Sequence, residues 1–465
     1  MDAINFIYLL FISYLSVLIF FQIRESRFNS MLVINAFMLA YYAVPLYSFS
    51  LKDRQIDMLY GQPTLSGLLC VFLFYIFCIV GYNLPMKKHD VNYYIPNEQF
   101  FVRKTSIAVI AFSIFFFLVY CSLFGGFQEV MLNISSIRGG NMESSNKSLE
   151  FITLFYGMVI YAPVLLCCYW NSSSIDKRKV ITKKLIVLSF FTAIIIKLSS
   201  GSRGAILSLI LIFIIGSILN KKKGQRTYTK TRIGTGGNKK KYLLMVGVAF
   251  FTIVVLRPLF NFFQNMHSYD IAYASAMLNE QLLQSEEGRY SLSSPEAVFF
   301  SILRSFSHYS TSMELALVKV ESGVHEKNYF MEFVGMIMSL LPSKLLGIEK
   351  LRSVTSYNSM YFGVEQNIPP GIIGSAIYSG GMLWVILYGF LVGFFGKRLD
   401  TFYARIKRNI KFSSFYYASL LFVFFYFAAS GDFASQFRKA FTSFILFYYI
   451  YINLRVLRIK NANDK

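Results

Sequence analysis

The sequence predicts an all-α polytopic integral membrane protein, and three observations lead to that fold class. Apolar residues make up 55% of the 465 positions, only 15% are charged, and the apolar residues gather in long runs. A soluble domain carries about 25% charged residues, and a disordered chain lacks such an apolar excess. Five cysteines in a chain of this length form no disulfide framework, which excludes a small secreted scaffold as well.

Eleven apolar runs approach the length of about 20 residues that a hydrocarbon core of roughly 30 Å requires. The first run is not expected to be a cleaved signal, because no Lys or Arg precedes it and no small-residue cleavage site follows it. The predicted spans lie near 4–23, 31–50, 64–84, 105–124, 151–170, 185–200, 204–219, 242–261, 371–395, 412–430 and 438–455.

The basic residues of the loops predict the orientation of these helices. If the N-terminus is outside, 30 of the 46 Lys and Arg residues and only 6 of the 24 acidic residues fall on the inner side. Loops rich in Lys and Arg stay in the cytoplasm, so we expect the N-terminus outside and the C-terminus inside. The net charge of +22 then reflects topology and attraction to anionic membrane lipids, and no nucleic-acid partner is expected.

Residues 262–370 form the one long extramembrane segment, and we expect a structured lid on the outer side of the membrane. A Ser-Pro-Glu start at 294–296 and the apolar residues after it predict a helix near 295–320. The run 330–347 is too short to span and contains Pro342, which predicts an interfacial or re-entrant element. The predicted organisation is helices 1–8 in residues 1–261, the lid in 262–370 and helices 9–11 in 371–465.

Outward-facing arginines are candidate anion-binding residues. The turn SSGSRGA at 199–205 places Arg203 at a helix start, where free backbone N–H groups and a planar guanidinium favour an anion such as phosphate. A tight hairpin with a snorkelling arginine has the same pattern. Arg257, deep in the eighth span, marks a functional path or snorkels to the outer headgroups, and Lys197 is expected to snorkel.

The lid carries further candidates. Arg304 and His308 are four residues apart and therefore share a helix face, where arginine would bind a phosphate and histidine take a proton. A histidine that only packs against neighbouring side chains would explain the presence of His308 on this face equally well. The remaining outward-facing candidates are Arg138 and Arg352 for anions, and Tyr357, Tyr361 and Glu365 for a sugar-binding rim, although aromatic residues of a lid also pack against one another.

No cofactor or metal site is expected from the sequence. His267, His308 and His325 are scattered through the outer loop without the spacing of metal ligands. Asp53 and Asp57 are four residues apart, but no third acid follows them, so we interpret the pair as solvated surface.

Taken together, these motifs resemble those of the Wzy-type oligosaccharide repeat unit polymerases and their O-antigen ligase relatives. Many members of the family carry Glu directly after the Ile-Gly of a Pro-Pro-Gly motif, whereas Ser375 stands at that position here, so the resemblance assigns no catalytic acid there. The resemblance covers roughly residues 125–400 and rests on SGSRGAIL at 200–207, RSFS at 304–307, LLPSKLLGIEK at 340–350 and NIPPGIIGSAIYSGG at 367–381.

The resemblance implies a GT-C-like glycosyltransferase of the bacterial inner membrane, with its active site facing the periplasm. It would transfer a growing glycan from undecaprenyl pyrophosphate to a hydroxyl of a new lipid-linked repeat unit, without a metal, and with a partner protein that sets chain length. The residues concerned would be Arg203, Arg304, Arg257, Arg138 and Arg352 for the pyrophosphates, Tyr357 and Tyr361 for sugars, and His308 or Glu365 as general base.

Two other functions stay open at this point. An O-antigen ligase shares the donor but transfers the glycan to a different acceptor, and the Pro-Pro-Gly motif favours a polymerase. A flippase for lipid-linked saccharides is expected to show internal repeats and interrupted helices with polar groups near the membrane midplane. We find no internal repeat and few charges at mid-depth, which disfavours transport.

Overall fold

The computed structural model is almost entirely helical. It describes residues 3–25, 28–46, 64–86, 92–133, 150–172, 183–199, 209–219, 295–327, 331–338, 352–363 and 368–457, with the single positions 137, 145, 329 and 340. The predicted span at 242–261 therefore lies outside the described residues.

The helices, numbered in chain order, comprise long apolar helices and shorter ones. A π-helical turn at Leu39–Ala43 follows α2, a 3-10 segment at Glu150–Ile160 precedes α6, and two strands pair in antiparallel fashion. The α-helices are α1 (Ala3–Arg24), α2 (Ser30–Met38), α3 (Leu65–Asn83), α4 (Glu98–Leu123), α5 (Phe127–Leu132), α6 (Tyr161–Ser172), α7 (Lys183–Ser199), α8 (Leu209–Leu219), α9 (Pro295–Glu321), α10 (Met331–Met338), α11 (Val354–Tyr361), α12 (Gly371–Gly380), α13 (Met382–Ile406), α14 (Ser413–Ser430) and α15 (Phe433–Ile452), and the strands are β1 (Asn92–Tyr94) and β2 (Arg455–Leu457).

Several helices have the length and the apolar surface of membrane spans. Among the described residues, α1, α3, α4, α13 and α14 are long and apolar enough to cross a bilayer. Large apolar side chains such as Phe115 and Leu118 of α4 are exposed, as expected for a lipid-facing helix. The predicted class of an all-α membrane protein is consistent with these helices, while the number of eleven spans and their orientation stay predictions.

The chain divides into two compact units. The first unit comprises Met1–Lys87, Ser285–Thr401 and Val423–Arg438, and the second comprises Lys88–Gln284, Phe402–Phe422 and Lys439–Lys465. In the second unit, α4 packs against the 3-10 segment and α6. The carboxylate of Glu98 there accepts the backbone N–H groups of Lys411 and Phe412, at 2.6 and 3.2 Å.

The centre of the first unit is α9, which confirms the helix expected near 295–320. It packs against α12, α11, the first turns of α3 and the π-helical turn after α2. Backbones approach closely elsewhere in this unit, because a Cβ at Gly389 or Gly393 of α13 would collide with the carbonyl oxygens of Phe74 and Cys78 in α3. Small residues at helix contacts are the usual means of close packing in membrane proteins.

The span expected at 371–395 is divided in two, which corrects that prediction. Gly381 has φ +73°, in the left-handed region that favours glycine, and it separates α12 from the long helix α13. All of the residues from Gly371 to Ser379 are buried, and α12 packs against α9. The apolar character of α12 therefore reflects burial within the protein, and the helix long enough to span is Met382–Ile406.

Candidate functional site

A buried carboxylate lies between α10 and α12 in the first unit. The Ser375 hydroxyl donates to the carboxylate of Glu332, 3.0 Å from Oε2 and 3.2 Å from Oε1. Glu332 is only 8% exposed, and its charge is close enough to Asp432, at the start of α15, for the two to interact. With Ser379 of α12 and Tyr388 of α13, these residues are called the Glu332 cluster below.

Helix α10, which carries Glu332, exposes an apolar side and buries its one carboxylate. The exposed residues of α10 are apolar, namely Met331, Val334 and Ile337, whereas the carboxylate of Glu332 points into the protein. An exposed apolar stripe on a short helix is typical of a helix in contact with lipid. Helix α10 covers only the first part of the element expected at 330–347, residues 341–347 lie outside the described residues, and an interfacial position stays a prediction.

Burial changes the acidity of this carboxyl. The pKa of Glu332 is raised from 4.5 to about 8, chiefly by desolvation; the hydrogen bond from Ser375 works against this rise and the nearby charge of Asp432 adds to it. The hydroxyl of Tyr388 is buried beside Glu332 without a hydrogen bond of good geometry to any described residue. A carboxyl whose pKa lies close to neutrality can accept and return a proton at physiological pH.

The interruption at Gly381 helps to position the cluster. Helix α12 ends there, which leaves the Ser379 carbonyl available to accept the backbone N–H of Tyr329 at 2.6 Å. Tyr329 itself has φ +43°, which is uncommon for a residue with a side chain and is found where surrounding contacts hold the backbone. The chain that leads into α10 is therefore attached to the helix that carries Ser375.

A second group of polar side chains surrounds His325, which is buried. Its Nδ1 atom lies 3.0 Å from the Tyr361 hydroxyl, and its ring lies 5.1 Å from that of Tyr357 and 4.8 Å from that of Tyr378. Desolvation lowers the pKa of His325, which favours the neutral ring. The Tyr378 hydroxyl donates to Asn358 Oδ1 at 3.1 Å, so α11 and α12 are joined here.

The predicted tyrosine pair is brought together by this arrangement. Tyr357 and Tyr361 share one face of α11 and are half-buried, with the Lys319 ammonium 5.5 Å from the ring centroid of Tyr361. Sequence reasoning treated His325 as one of several scattered histidines, because nothing in its neighbourhood along the chain points to tyrosines more than 30 residues away. A role in sugar binding stays a prediction for both tyrosines.

The other predicted site residues are only partly described. Arg352 is exposed just before Ser353, the N-cap of α11. His308 lies in α9 one turn after Arg304, as predicted, and its ring centroid is 3.9 Å from that of Tyr309. The backbone of Arg304 belongs to α9, but its side chain lies outside what the structure describes, as do Arg138, Arg203, Arg257 and Glu365 altogether.

A second buried carboxylate, Glu314, ties α9 to the start of α3. Thr64, the N-cap of α3, donates its backbone N–H to Glu314 Oε1 at 3.2 Å and its hydroxyl to Oε2 at 2.7 Å. The pKa of Glu314 is raised from 4.5 to about 7, chiefly by desolvation, although the two hydrogen bonds from Thr64 favour the ionised form. Sequence reasoning missed both Glu314 and Glu332, although Glu332 is the single acid of an otherwise apolar helix, which is a usable signal.

Within the described ranges, no group of three or more His, Cys, Asp and Glu residues is arranged to hold a metal ion. The chain matches no family model, no curated protein and no solved structure. The family resemblance drawn from the sequence motifs therefore stays a prediction.

Proposed function

We propose that this protein is a membrane glycosyltransferase that polymerises undecaprenyl pyrophosphate-linked oligosaccharide repeat units on the periplasmic face of the bacterial inner membrane. The observation that carries the proposal is the contact between Glu332 and Ser375. The family pattern expects Glu at the position of Ser375, directly after the Ile-Gly of the Pro-Pro-Gly motif. Here Ser375 binds a carboxylate that comes from α10, so an acid is supplied at the same point by a different element.

The reaction requires a proton acceptor of this kind. A hydroxyl of the acceptor repeat unit attacks the anomeric carbon of the donor glycan, the bond from that carbon to the pyrophosphate oxygen breaks, and the hydroxyl proton must leave. We assign the role of general base to Glu332, ahead of His308 and Glu365, because its pKa of about 8 lies close to the working pH. General acid–base catalysis contributes about 10²- to 10⁴-fold to a rate.

The surroundings of the Glu332 cluster suit a lipid-linked substrate. The exposed side of α10 is apolar, so a polyprenyl chain can lie against it while the sugars enter the protein. The leaving pyrophosphate carries several negative charges, which cationic side chains can stabilise as they develop. We propose the five outward-facing arginines for that role, namely Arg203, Arg304, Arg257, Arg138 and Arg352.

The proposal is tested in a deletion strain by extracting polyprenyl-linked saccharides and sizing the glycans. Complementation with the wild type should give long chains, and Glu332→Gln should leave single repeat units at normal protein level. Glu326→Gln is the matched control, because Glu326 is an exposed acid six residues earlier. Full-length polymer from Glu332→Gln would refute the assignment of the base, and long chains stranded on the lipid carrier in the deletion strain would indicate a ligase.

Transport of a lipid-linked saccharide is a second candidate, and one observation favours it. The interruption between α12 and α13 beside a buried carboxylate resembles the broken helices at which transporters bind their substrates. The same deletion strain separates the two functions. A flippase predicts single repeat units trapped on the cytoplasmic face, whereas a polymerase predicts single repeat units that reach the periplasm.

A further inference from the structure

A cavity of about 410 Å³ lies between α4, the 3-10 segment and the second half of α15, all in the second unit. Its walls are formed by aliphatic and aromatic side chains, apart from Lys104 and Thr105 of α4. Protein cavities that hold small molecules have volumes of about 300–1,000 Å³, so this space is large enough for a ligand. It is called the α4 cavity below.

The α4 cavity runs lengthwise along the helix for which it is named. Lys104, Ala108, Phe112 and Phe116 line it at intervals of four residues, which places them on one helix face. From Lys104 to Phe116 the helix rises about 18 Å, and half of the hydrocarbon core of a bilayer measures about 15 Å. At the end opposite Lys104, the ring centroids of Phe116 and Phe155 are 5.0 Å apart. The cavity therefore has the length of a lipid chain in one leaflet.

The cavity opens on a surface that is suited to lipid. Phe112 and Ile445, which line it, are both exposed, and α4 is long and apolar enough to cross a bilayer. Water is held in cavities by polar partners, which these walls hardly offer, and an empty cavity leaves its walls without dispersion contacts. The expected occupant is a hydrocarbon chain that enters from the bilayer.

The charge at one end of the cavity selects among lipids. Lys104 and its neighbour Arg103 are exposed, and neither makes a hydrogen bond or an ion pair with any residue that the structure describes. Glu98, the acid at the start of α4, has its carboxylate engaged by the backbone N–H groups of Lys411 and Phe412. The loop charges predict this end of α4 on the inner side of the membrane, where cationic side chains attract anionic headgroups.

We propose that the α4 cavity binds one acyl chain of an anionic phospholipid of the inner leaflet, with the lipid phosphate paired to Lys104. The small side chain of Ala108 leaves room for the chain between Lys104 and Phe112, and the aromatic rings of Phe116 and Phe155 contact its end. The inference goes beyond the proposed function and does not depend on it, because it involves neither a saccharide nor a pyrophosphate.

The test is lipid binding to the delipidated full-length protein in detergent micelles, measured by native mass spectrometry. The probes are phosphatidylglycerol and phosphatidylcholine with identical acyl chains. Phosphatidylglycerol should bind more tightly, Lys104→Gln should reduce this preference about fivefold, and Lys104→Glu should reduce it further. Lys184→Gln is the matched control, because Lys184 is an exposed lysine of α7 that does not line the cavity.

A second variant tests the cavity itself. Ala108→Phe places a larger side chain in the cavity and should weaken the binding of both lipids about tenfold, since displacing about two methylene groups is enough for that factor. Ile107→Phe is the control, because Ile107 is exposed on the same helix and does not line the cavity. If Ala108→Phe fails to fold, the variants at the exposed Lys104 still test the proposal.

Three results would overturn the inference. The first is equal affinity of the wild type for the two lipids, or an unchanged preference in Lys104→Gln. The second is displacement of bound phosphatidylglycerol by an equimolar amount of farnesyl pyrophosphate, which would indicate a site for a polyprenyl chain. The third is a dimer that Ala108→Phe dissociates, which would indicate that a second copy of the chain covers the cavity.

Discussion

Glu314→Gln is expected to remove a pH dependence of stability that the wild-type protein has between about pH 4.5 and pH 7. Glu314 is 3% exposed, and burial raises its pKa from 4.5 to about 7 although Thr64 donates two hydrogen bonds to it. Because the folded-state pKa lies above the unfolded-state value, the folded protein binds more protons in that interval. Protonation of Glu314 therefore contributes fully to the free energy of unfolding below about pH 4.5, and this contribution is lost as the pH rises through about 7.

The size of this effect follows from the two pKa values. The interval from 4.5 to about 7 corresponds to roughly 3 kcal/mol at 1.36 kcal/mol per pH unit. An unfolding entropy of about 2.1 cal/mol/K per residue gives about 1 kcal/mol/K for 465 residues. A rise in pH from 4.5 to about 7 should therefore lower Tm by about 3 °C through the ionisation of Glu314 alone. Glutamine has nearly the same shape, accepts one of the two Thr64 hydrogen bonds through its carbonyl oxygen and does not ionise.

The assay is thermal unfolding in detergent between pH 4.5 and pH 8. Glu332 has a raised pKa as well and titrates in an overlapping range, so the comparison is made in a Glu332→Gln background with and without Glu314→Gln. Glu326→Gln is the control, because Glu326 is an exposed acid that does not contribute to the raised pKa of Glu314. An equal slope of Tm against pH with and without Glu314→Gln would refute the reasoning.

Three further predictions concern single contacts, each measured by thermal unfolding. Gly381→Ala should cost about 1–2 kcal/mol of stability because φ is +73°, and it should also reduce polymer formation, whereas Gly323→Ala, with φ +70° in open space, should affect stability alone. Tyr361→Phe removes the bond to His325 Nδ1 and should cost about 1 kcal/mol; an unchanged Tm would show that this bond contributes nothing. The carboxylate of Asp400 accepts the backbone N–H and the hydroxyl of Ser30 and the hydroxyl of Tyr82, so Asp400→Asn should lower the free energy of unfolding by about 2 kcal/mol. A Tm equal to that of the wild type would contradict this prediction.

Composition and periodicity were sufficient for the membrane class and for α9. The apolar runs and the Ser-Pro-Glu start depend on residues that are adjacent in the chain, so they can be read from the sequence alone. The same holds for Tyr357 and Tyr361, whose spacing of four residues places them on one face of α11. Each of these predictions is about local structure.

The errors concern burial and distant contacts. Hydropathy cannot tell an apolar helix that faces lipid from one enclosed by protein, so α12 was joined to α13 in one predicted span. The contact between Glu332 and Ser375 links residues 43 positions apart, and no local pattern specifies it. Lys197 was expected to snorkel but is buried, because the sequence does not show which side of α7 faces the protein.

The most direct test of the central claim is a reconstituted reaction. Lipid-linked repeat units from the deletion strain are incubated with the purified protein in proteoliposomes, and the products are sized on a gel at several pH values. The account predicts a ladder of products for the wild type and for Glu326→Gln, and a rate at least about 100-fold lower for Glu332→Gln. No ladder with the wild type, or an undiminished ladder with Glu332→Gln, would contradict it.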